Sequence, residues 1–390
     1  MLSTTATERD PAAVVLVTAS LQGGGAERVL SEMANYWAKR DVRVALVTWS
    51  GPETSDFYRL DPAVRRVWLD VQVPNTSKLG RPWANFSRVR RLRKLLSELR
   101  PDAVLSFLDW SNVLTILAAK ALPMRLVVSE RCHPAHRSGL PRAWRVLRKV
   151  CYPRADAVVA QTEETAVWLE RKYGANVRVI PNALRKLPAL SNGRDNRILV
   201  VGRLVRQKGF DLFLEAFAEI HSDFADWTAE IVGSGPEESS LLRLRDRLGV
   251  TDKVRFRGPR KDIESLMSRA GLVVQPSRFE GFPNVVLEAM GMGAPVISAD
   301  CPAGPAEIIQ DGVNGRLVPV DDVSALASTM AELMSRPELR ARLGQEAVKV
   351  RQRFRQEAVM RQWEACLLPG NRANSHGDSR KLEASVDSHY

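Results

Sequence analysis

Short apolar runs alternate with amphipathic stretches along most of the chain, and turn-forming residues separate them. The runs with the composition of buried strands are residues 14–18, 43–48, 66–69, 103–107, 126–129 and 157–160 in the first half, and residues 197–201, 229–232, 253–257, 272–274 and 295–298 in the second. Helical stretches lie between most of these runs. Strands that alternate with helices predict an α/β fold with parallel sheets. A chain of 390 residues, 45% of them apolar, is long enough to form two domains with their own cores.

One part of the second half carries the clearest strand–loop–helix–strand pattern. An apolar run at residues 272–274 leads into a turn-rich loop at 276–283. A helix is predicted at 284–290 with Asn284 as its N-cap, and residues 295–298 form the next strand. In such a βαβ unit, ligands bind at the loop that follows the first strand. The free N–H groups at the start of the helix make that loop a favourable place for a phosphate group.

Two carboxylates bracket the start of this helix, Glu280 in the loop and Glu288 about one turn inside. Eight positions separate them and only Glu288 is helical, so they need not face each other as the acid pair of a glycoside hydrolase does. A carboxylate only accepts hydrogen bonds, which suits a polyhydroxyl partner such as a sugar or a ribose. The alternative is that Glu288 complements the helix dipole and Glu280 is a solvated loop charge.

The sequence EGFPNVVLE resembles the E-x7-E motif of the retaining glycosyltransferases of family 4, which have the two-domain GT-B fold. The continuation GMGAPVISADCPAGPAEIIQDGVNGRLVP is also similar to that family. The resemblance implies that Glu288 binds the ribose of a nucleotide and that Glu280 orients hydroxyl groups of the donor hexose. It also places Gly281 and Phe282 at the donor. The backbone N–H groups of Asn284 and Val285 are expected to donate to the diphosphate of the donor.

A second motif follows the first strand of the second half. The sequence from Gly202 to Gly209, GRLVRQKG, resembles the G-R-L-x-x-x-K-G loop of the same family. The resemblance implies that Arg203 and Lys208 clamp the diphosphate. A departing nucleoside diphosphate develops negative charge, and without a divalent cation fixed side-chain cations must offset it. The alternative is a pair of surface cations.

Other loops receive a role from the resemblance alone. A glycine-rich turn at residues 20–28 lacks the GxGxxG spacing, which weighs against a dehydrogenase. The resemblance places Gly24 and Gly25 of this turn at the cleft beside the donor phosphates and the acceptor. It also places Gly233, Arg257 and Gly258 in the nucleotide pocket.

The strand at 126–129 leads into the sequence SERCHP. Many family members have a histidine at this point, facing the donor sugar. Here Glu130 follows the strand, so Glu130 and Arg131 are favoured as cleft residues, and Glu130 as a catalytic one. The nearby His133 is interpreted as a loop residue, and His136 is the next histidine along the chain.

Positive charge is concentrated in the first half of the chain. The formal net charge is +12, and residues 1–190 hold 30 Lys and Arg against 17 Asp and Glu, whereas the remainder holds 27 against 28. A basic half suggests an anionic partner, although a merely solvated basic face is also consistent. Residues 88–96 and 142–149 have the composition of interfacial helices that rest on anionic lipid headgroups. Each is equally consistent with an ordinary amphipathic helix packed on a sheet, but together they favour a membrane-bound acceptor.

The cysteines and the amino terminus point to the cytoplasm. The four cysteines have no metal-ligand spacing and are expected to be reduced thiols. Residues 1–10 are polar and show no signal peptide, and the apolar stretch at 113–129 is interrupted by charges and proline. Membrane contact is therefore expected to be peripheral, on the inner face of the cell membrane. Neither a metal site nor a cofactor is expected beyond the UDP-sugar donor.

The expected architecture is two Rossmann-like, doubly wound domains facing a cleft. The predicted limits are an acceptor-binding domain at 13–184, a linker at 185–196, a nucleotide-sugar domain at 197–353, a crossover helix at 354–368 that returns to the first domain, and a disordered tail at 369–390.

The expected reaction is a retaining, metal-independent transfer of a hexose or N-acetylhexosamine from a UDP-sugar to a polyprenyl-diphosphate-linked saccharide. The sequences SERCHP and FEGFPNVVLEAM resemble family members that extend lipid-linked oligosaccharides with N-acetylgalactosamine. One alternative is the same fold acting on a soluble acceptor, and another is a non-catalytic nucleotide-sugar-binding scaffold. Nucleic-acid binding is disfavoured because no aromatic stacking platform accompanies the basic charge.

Overall fold

The structure is a computed structural model that describes residues 13–40, 42–70, 80–135, 141–190 and 193–368. The predictions for residues 1–10, for His136 and for the tail at 369–390 lie outside the described residues.

In the part of the chain that the structure describes, the first sheet has seven strands in the order β3-β2-β1-β4-β5-β6-β7. Its strands are β1 (Val14–Thr18), β2 (Val44–Thr48), β3 (Arg65–Trp68), β4 (Ala103–Phe107), β5 (Arg125–Ser129), β6 (Ala157–Ala160) and β7 (Val177–Val179). The helices between them are α1 (Gly25–Ala38), α2 (Gly80–Leu99), α3 (Asp109–Ala119), α4 (Arg142–Cys151) and α5 (Glu163–Tyr173). Strand β1 pairs in parallel with β2 and β4, so the strand order reverses between β1 and β4.

The second sheet has six strands in the order β10-β9-β8-β11-β12-β13. Its strands are β8 (Asp195–Val201), β9 (Thr228–Val232), β10 (Val254–Phe256), β11 (Ala270–Gln275), β12 (Val296–Ala299) and β13 (Arg316–Val318). The helices of this part are α6 (Phe210–Ile220), α7 (Glu238–Arg247), α8 (Ile263–Arg269), α9 (Asn284–Gly291), α10 (Pro305–Ile308), α11 (Val323–Ser335), α12 (Pro337–Ala347), α13 (Val350–Arg353) and α14 (Gln356–Leu367). The order reverses between β8 and β11, which is the doubly wound arrangement of a Rossmann-like sheet.

Successive residues of the central strands pack on opposite faces of the second sheet. Leu272 and Val274 belong to a core shared with the aromatic residues of α6, whereas Val273 belongs to a core shared with α9. A parallel sheet covered by helices on both faces requires apolar side chains at every strand position. This is why the strands appear in the sequence as continuous apolar runs and not as alternating ones.

The described residues pack into two compact units, one within residues 13–128, 155–157 and 361–368 and one within residues 129–154 and 158–360. The carboxyl-terminal part of α14 belongs to the first unit. There the ring of Trp363 lies 6.0 Å from that of Phe107, and Trp37 donates from Nε1 to Glu364 at 3.1 Å. The end of α14 is therefore held in this unit by both apolar and polar contacts, while the domain limits drawn from the sequence stay a prediction.

Among the described residues, no helix combines the length and the apolar composition needed to cross a bilayer.

Candidate functional site

Two loops meet at the point where the strand order of the second sheet reverses. Because β8 and β11 are adjacent and parallel, the loop that follows β8 lies beside the loop that follows β11. The backbone N–H of Arg278 donates to the carbonyl of Gln207 at 2.8 Å, and the Gln207 side chain donates back to the carbonyl of Phe279 at 2.8 Å. Gly209 has φ +66°, and a Cβ there would overlap the carbonyl oxygen of Pro276. Only glycine allows this approach of the two backbones.

The two loops bring Lys208 and Glu280 into an ion pair. Lys208 donates from Nζ to Glu280 Oε1 at 2.6 Å, and Gln275 donates from Nε2 to the same oxygen at 3.0 Å. The side chain of Glu280 is 6% exposed, whereas that of Lys208 is 18% exposed. The pair therefore consists of a buried acid and a cation that solvent or a ligand can still reach. Arg203 is exposed on the same β8 loop.

Glu288 lies in α9 and is held by a different cation. Arg185 donates from Nη2 to Glu288 Oε2 at 2.9 Å and forms a second ion pair with Glu264. Glu280 and Glu288, eight positions apart in sequence, are thus each engaged by a separate basic side chain. The sequence motifs identified both carboxylates but gave no indication of Arg185.

The start of α9 differs from the sequence-based expectation. The prediction that Asn284 is the N-cap is wrong, because the helix begins at Asn284 and Pro283 occupies the cap position, where no described side chain provides a cap hydrogen bond. The Asn284 side chain instead accepts from Asn182 Nδ2 at 2.7 Å. The first N–H groups of a helix have no partner within the helix, so the backbone at Val285 keeps the donor character that an anion requires.

Phe282 and Gly281 have packing roles beside this helix. The Phe282 ring lies 5.7 Å from the ring of Phe354 and belongs to the core beneath α9. A Cβ on Gly281 would overlap the carbonyl oxygen of Arg131, so glycine lets the loop lie directly against that backbone. Arg131 is buried and donates from Nη2 to Asn182. Burial lowers the pKa of the Arg131 guanidinium to about 9, which leaves the group charged at neutral pH.

Glu130 is buried in an ion pair on the side of α4. Its Oε1 accepts from Arg148 and from the hydroxyl of Tyr152. Burial alone would lower the pKa of Arg148, but the charge of Glu130 raises it above its ordinary value. This environment is that of a structural carboxylate, and the catalytic role assigned to Glu130 stays a prediction. His133 is also buried, with its ring 5.6 Å from that of Trp168.

Glycines bring the loops after β8, β9 and β10 together. Gly233 has φ +143°, and a Cβ there would overlap the carbonyl oxygen of Gly202. Its N–H donates to the carbonyl of Gly258 at 3.0 Å. Arg257 donates from Nη2 to Glu230 Oε1 at 2.6 Å. The predicted nucleotide-pocket residues of the second sheet therefore lie together at the carboxyl-terminal ends of β8, β9 and β10.

Gly24 and Gly25 belong to the other compact unit, where Gly24 precedes α1 and Gly25 is its first residue. Tyr58 donates from its hydroxyl to the carbonyl of Gly24 at 3.1 Å, which fixes this turn.

Within the described ranges, no group of three or more His, Cys, Asp or Glu side chains is arranged to hold a metal ion.

Two family models match consecutive parts of the chain. The model described as Glycosyltransferase Family 4 matches residues 23–185, and the model described as Glycosyl transferases group 1 matches residues 186–350. The chain is 28% identical over 355 residues to a Campylobacter jejuni protein, covering 90% of this chain and 96% of that one. The relative is the GalNAc-alpha-(1->4)-GalNAc-alpha-(1->3)-diNAcBac-PP-undecaprenol alpha-1,4-N-acetyl-D-galactosaminyltransferase.

Two solved structures have the same fold. Sucrose-phosphate synthase from Thermosynechococcus elongatus matches with a TM-score of 0.77 and 21% identity, over 90% of this chain and 97% of that one. HepE from Anabaena, in complex with UDP and glucose, matches with a TM-score of 0.74 and 22% identity, over 91% and 99%. With its two parallel-sheet domains, the protein is a glycosyltransferase of the GT-B fold. The chain belongs to glycosyltransferase family 4, as the E-x7-E motif predicted.

Proposed function

We propose that the protein transfers a hexose or N-acetylhexosamine from a UDP-sugar to a polyprenyl-diphosphate-linked saccharide in glycan or polysaccharide biosynthesis, with retention of configuration. The observation that carries the donor part is the Lys208–Glu280 pair beside the start of α9. This arrangement places a cation, a carboxylate and helix N–H groups at the switch point of the second sheet. The complex of HepE with UDP and the lipid-linked substrate in the name of the Campylobacter relative support the two substrate classes.

The charges of the site suit the departure of a nucleoside diphosphate. Breaking the bond between the anomeric carbon and the phosphate oxygen leaves the electron pair on that oxygen, where Lys208, Arg203 and the N–H groups at the start of α9 offset it. Glu280 orients donor hydroxyls, and Glu288 binds the ribose. The acceptor oxygen attacks the anomeric carbon from the face that the diphosphate leaves. A phosphate oxygen of the leaving group takes the acceptor proton, so the transfer requires neither a carboxylate nucleophile nor a metal ion.

Helix α4 supports a membrane-bound acceptor because apolar side chains of this helix are exposed and a basic side chain is buried. Within α4, whose residues are all described, Arg148 and Cys151 are buried. Val146 is 63% exposed and Val150 is 48% exposed, although both are apolar. Exposed Arg and Lys side chains surround these residues: Arg142, Arg145 and Lys149. The apolar side of α4 therefore does not pack on a sheet, and a peripheral position on the inner, anionic face of the cell membrane gives it a partner of complementary charge.

Helix α2 behaves differently in its carboxyl-terminal part. Leu92, Leu96 and Leu99 are buried, as in an ordinary amphipathic helix. Nearer its start, Trp83 and Phe86 are exposed and their rings lie 6.3 Å apart. Exposed aromatic side chains on a basic helix are typical of membrane-interface anchors.

Release of UDP tests the reaction. The protein is incubated with several UDP-sugars and a polyprenyl-diphosphate-linked saccharide, with and without EDTA, and the anomeric configuration of the product is determined by NMR. The proposal expects UDP release that depends on the acceptor, an α-linked product and no loss of rate with EDTA. Tight UDP binding without turnover on any acceptor would indicate a scaffold, and loss of activity with EDTA would contradict the metal-independent mechanism.

Sedimentation with vesicles separates a lipid-bound acceptor from a soluble one. Binding to vesicles that contain anionic lipid is expected at low salt and is expected to weaken at high salt. Replacing Val146 and Val150 by Asp should abolish it, whereas Val→Ala substitutions at the same positions should only weaken it. Recovery of the protein in the supernatant with both anionic and neutral vesicles would favour a soluble acceptor.

A further inference from the structure

Arg185 connects two carboxylates across α8 and α9. Its Nη2 donates to Glu288 Oε2 at 2.9 Å, and its Nη1 is paired with Glu264. We infer that Arg185 is the positioning residue that fixes Glu288 for recognition of the nucleotide ribose. This inference rests on the proposed function, in which Glu288 binds that ribose, and it adds the residue that sets the orientation of the carboxylate.

The backbone that carries Arg185 is itself fixed against α9. The N–H of Leu184 donates to the carbonyl of Phe354 at 2.7 Å, and Leu184 is buried in the core beneath α9. A Cβ on Gly291 would lie 2.6 Å from Leu187 and 3.0 Å from Leu184, so the segment 184–187 touches the last turn of α9. Arg185 therefore reaches Glu288 from a segment that has little freedom to shift.

The burial of Glu288 makes a charged partner necessary. Its side chain is 6% exposed, and an ionised carboxylate removed from water requires charge-assisted hydrogen bonds. A carboxylate has about four acceptor sites on its two oxygens. Arg185 occupies one of these sites, on Oε2. By holding one oxygen, the guanidinium sets the direction in which the remaining lone pairs point.

The geometry of the guanidinium suits this role better than an ammonium group does. Arg185 contacts Glu288 and Glu264 through different nitrogens, which are held in one plane at a fixed angle. An ammonium at position 185 would be a single point charge shared between two acids. We therefore expect Arg185→Lys to keep the charge but to hold Glu288 less firmly.

Binding of ribose analogues tests the inference directly. Dissociation constants are measured by calorimetry for UDP, 2′-deoxy-UDP and 3′-deoxy-UDP. A hydrogen bond to a charged group corresponds to a preference of about tenfold or more for UDP over at least one deoxy analogue in the wild-type protein. In Arg185→Met this preference should fall to about threefold or less, and in Arg185→Lys it should be intermediate. In turnover assays, Arg185→Met should raise KM for the donor more than it lowers kcat.

Arg316 supplies a matched control. Its side chain is 25% exposed, close to the 27% of Arg185, and it also joins two carboxylates, those of Asp311 and Glu332. Arg316→Met should keep the wild-type preference for UDP, which shows that loss of a bridging arginine alone does not change ribose recognition.

The outcomes separate the inference from the function on which it rests. If the wild-type protein binds UDP and both deoxy analogues equally, the ribose role of Glu288 is wrong. If the wild-type protein prefers UDP and Arg185→Met keeps the full preference, the inference is overturned while the proposed function stands. Should Arg185→Met fail to fold, Arg185→Lys decides, because an unchanged preference in that folded variant contradicts a role for the guanidinium fork.

Discussion

Lys208 and the buried Glu280 form an ion pair. Removing only one of the two charges should lower the stability of the protein, and removing either of them should lower its activity. At a separation of 2.6 Å the gross attraction of two unit charges is about 6 kcal/mol at an effective dielectric constant of about 20. Desolvation of Glu280 offsets much of this, and loss of one partner from a buried pair costs about 3–5 kcal/mol. Because Lys208 is 18% exposed, we expect about 2–3 kcal/mol for Lys208→Met.

The double variant separates the two contributions. In Lys208→Met combined with Glu280→Gln no charge remains unpaired, so the thermal midpoint should return to within a few degrees of wild type. Turnover should stay low, because a fixed cation beside a developing oxyanion is worth about 10²–10³-fold in rate.

Thermal melting and UDP release are measured on wild type, the two single variants and the double variant. A drop of about 5–10 °C is expected for Lys208→Met alone. If the double variant recovers its activity together with its stability, Lys208 has only a structural role and the assignment of the diphosphate site is refuted.

Three other perturbations give separate tests. Arg148→Met leaves the buried Glu130 charge without its cation and should destabilise the protein by about 3–5 kcal/mol in denaturant titration; a loss below 1 kcal/mol would contradict the buried pair. Cys132 is exposed and the other three cysteines are buried, so iodoacetamide at pH 8 should label Cys132 first, as followed by mass spectrometry. Rapid labelling of a second cysteine would contradict the burial of the other three. Burial alone would raise the pKa of Asp211, but the hydrogen bonds and charge of Arg278 hold it below its ordinary value of 3.8. The stability from this pair is therefore present above about pH 4 and lost as pH falls further, so the gap in thermal midpoint between wild type and Arg278→Met should narrow from pH 5 to pH 2.5; a constant gap would contradict the pairing.

The strands were predictable because burial on both faces of the sheet requires a continuous run of apolar residues. Strands β1, β4 and β6 have the bounds that their apolar runs predict. Helix limits are harder to predict, since α12 and α13 are separated by only two residues, Val348 and Lys349. Helical periodicity records which residues share a face but does not show where the chain turns between two short helices.

Sequence motifs could indicate only those parts of the candidate site that lie within the motifs themselves. Glu280, Glu288 and Lys208 lie in motifs with family spacing, whereas Arg185, the partner of Glu288, lies outside those motifs. Arg185 lies 103 positions before Glu288, and Asn182 lies 102 positions before Asn284. A sequence pattern records neighbours along the chain, so contacts of this length require the fold.

Helix α4 departs from the usual orientation of an amphipathic helix. Its composition gave one apolar and one basic side, and the usual rule places the apolar side inwards. In the structure Arg148 points inwards to Glu130, and Val146 and Val150 are exposed. The buried Glu130, which follows β5, decides the orientation, because an inward cation at position 148 neutralises its charge.

A crystal structure with a bound, unreactive UDP-sugar analogue tests the central claim most directly. We expect the diphosphate between Lys208 and the N–H groups at the start of α9, the ribose at Glu288 and the sugar at Glu280. Density for the nucleotide at any other edge of the second sheet, or a diphosphate held without contact to Lys208, would contradict the account.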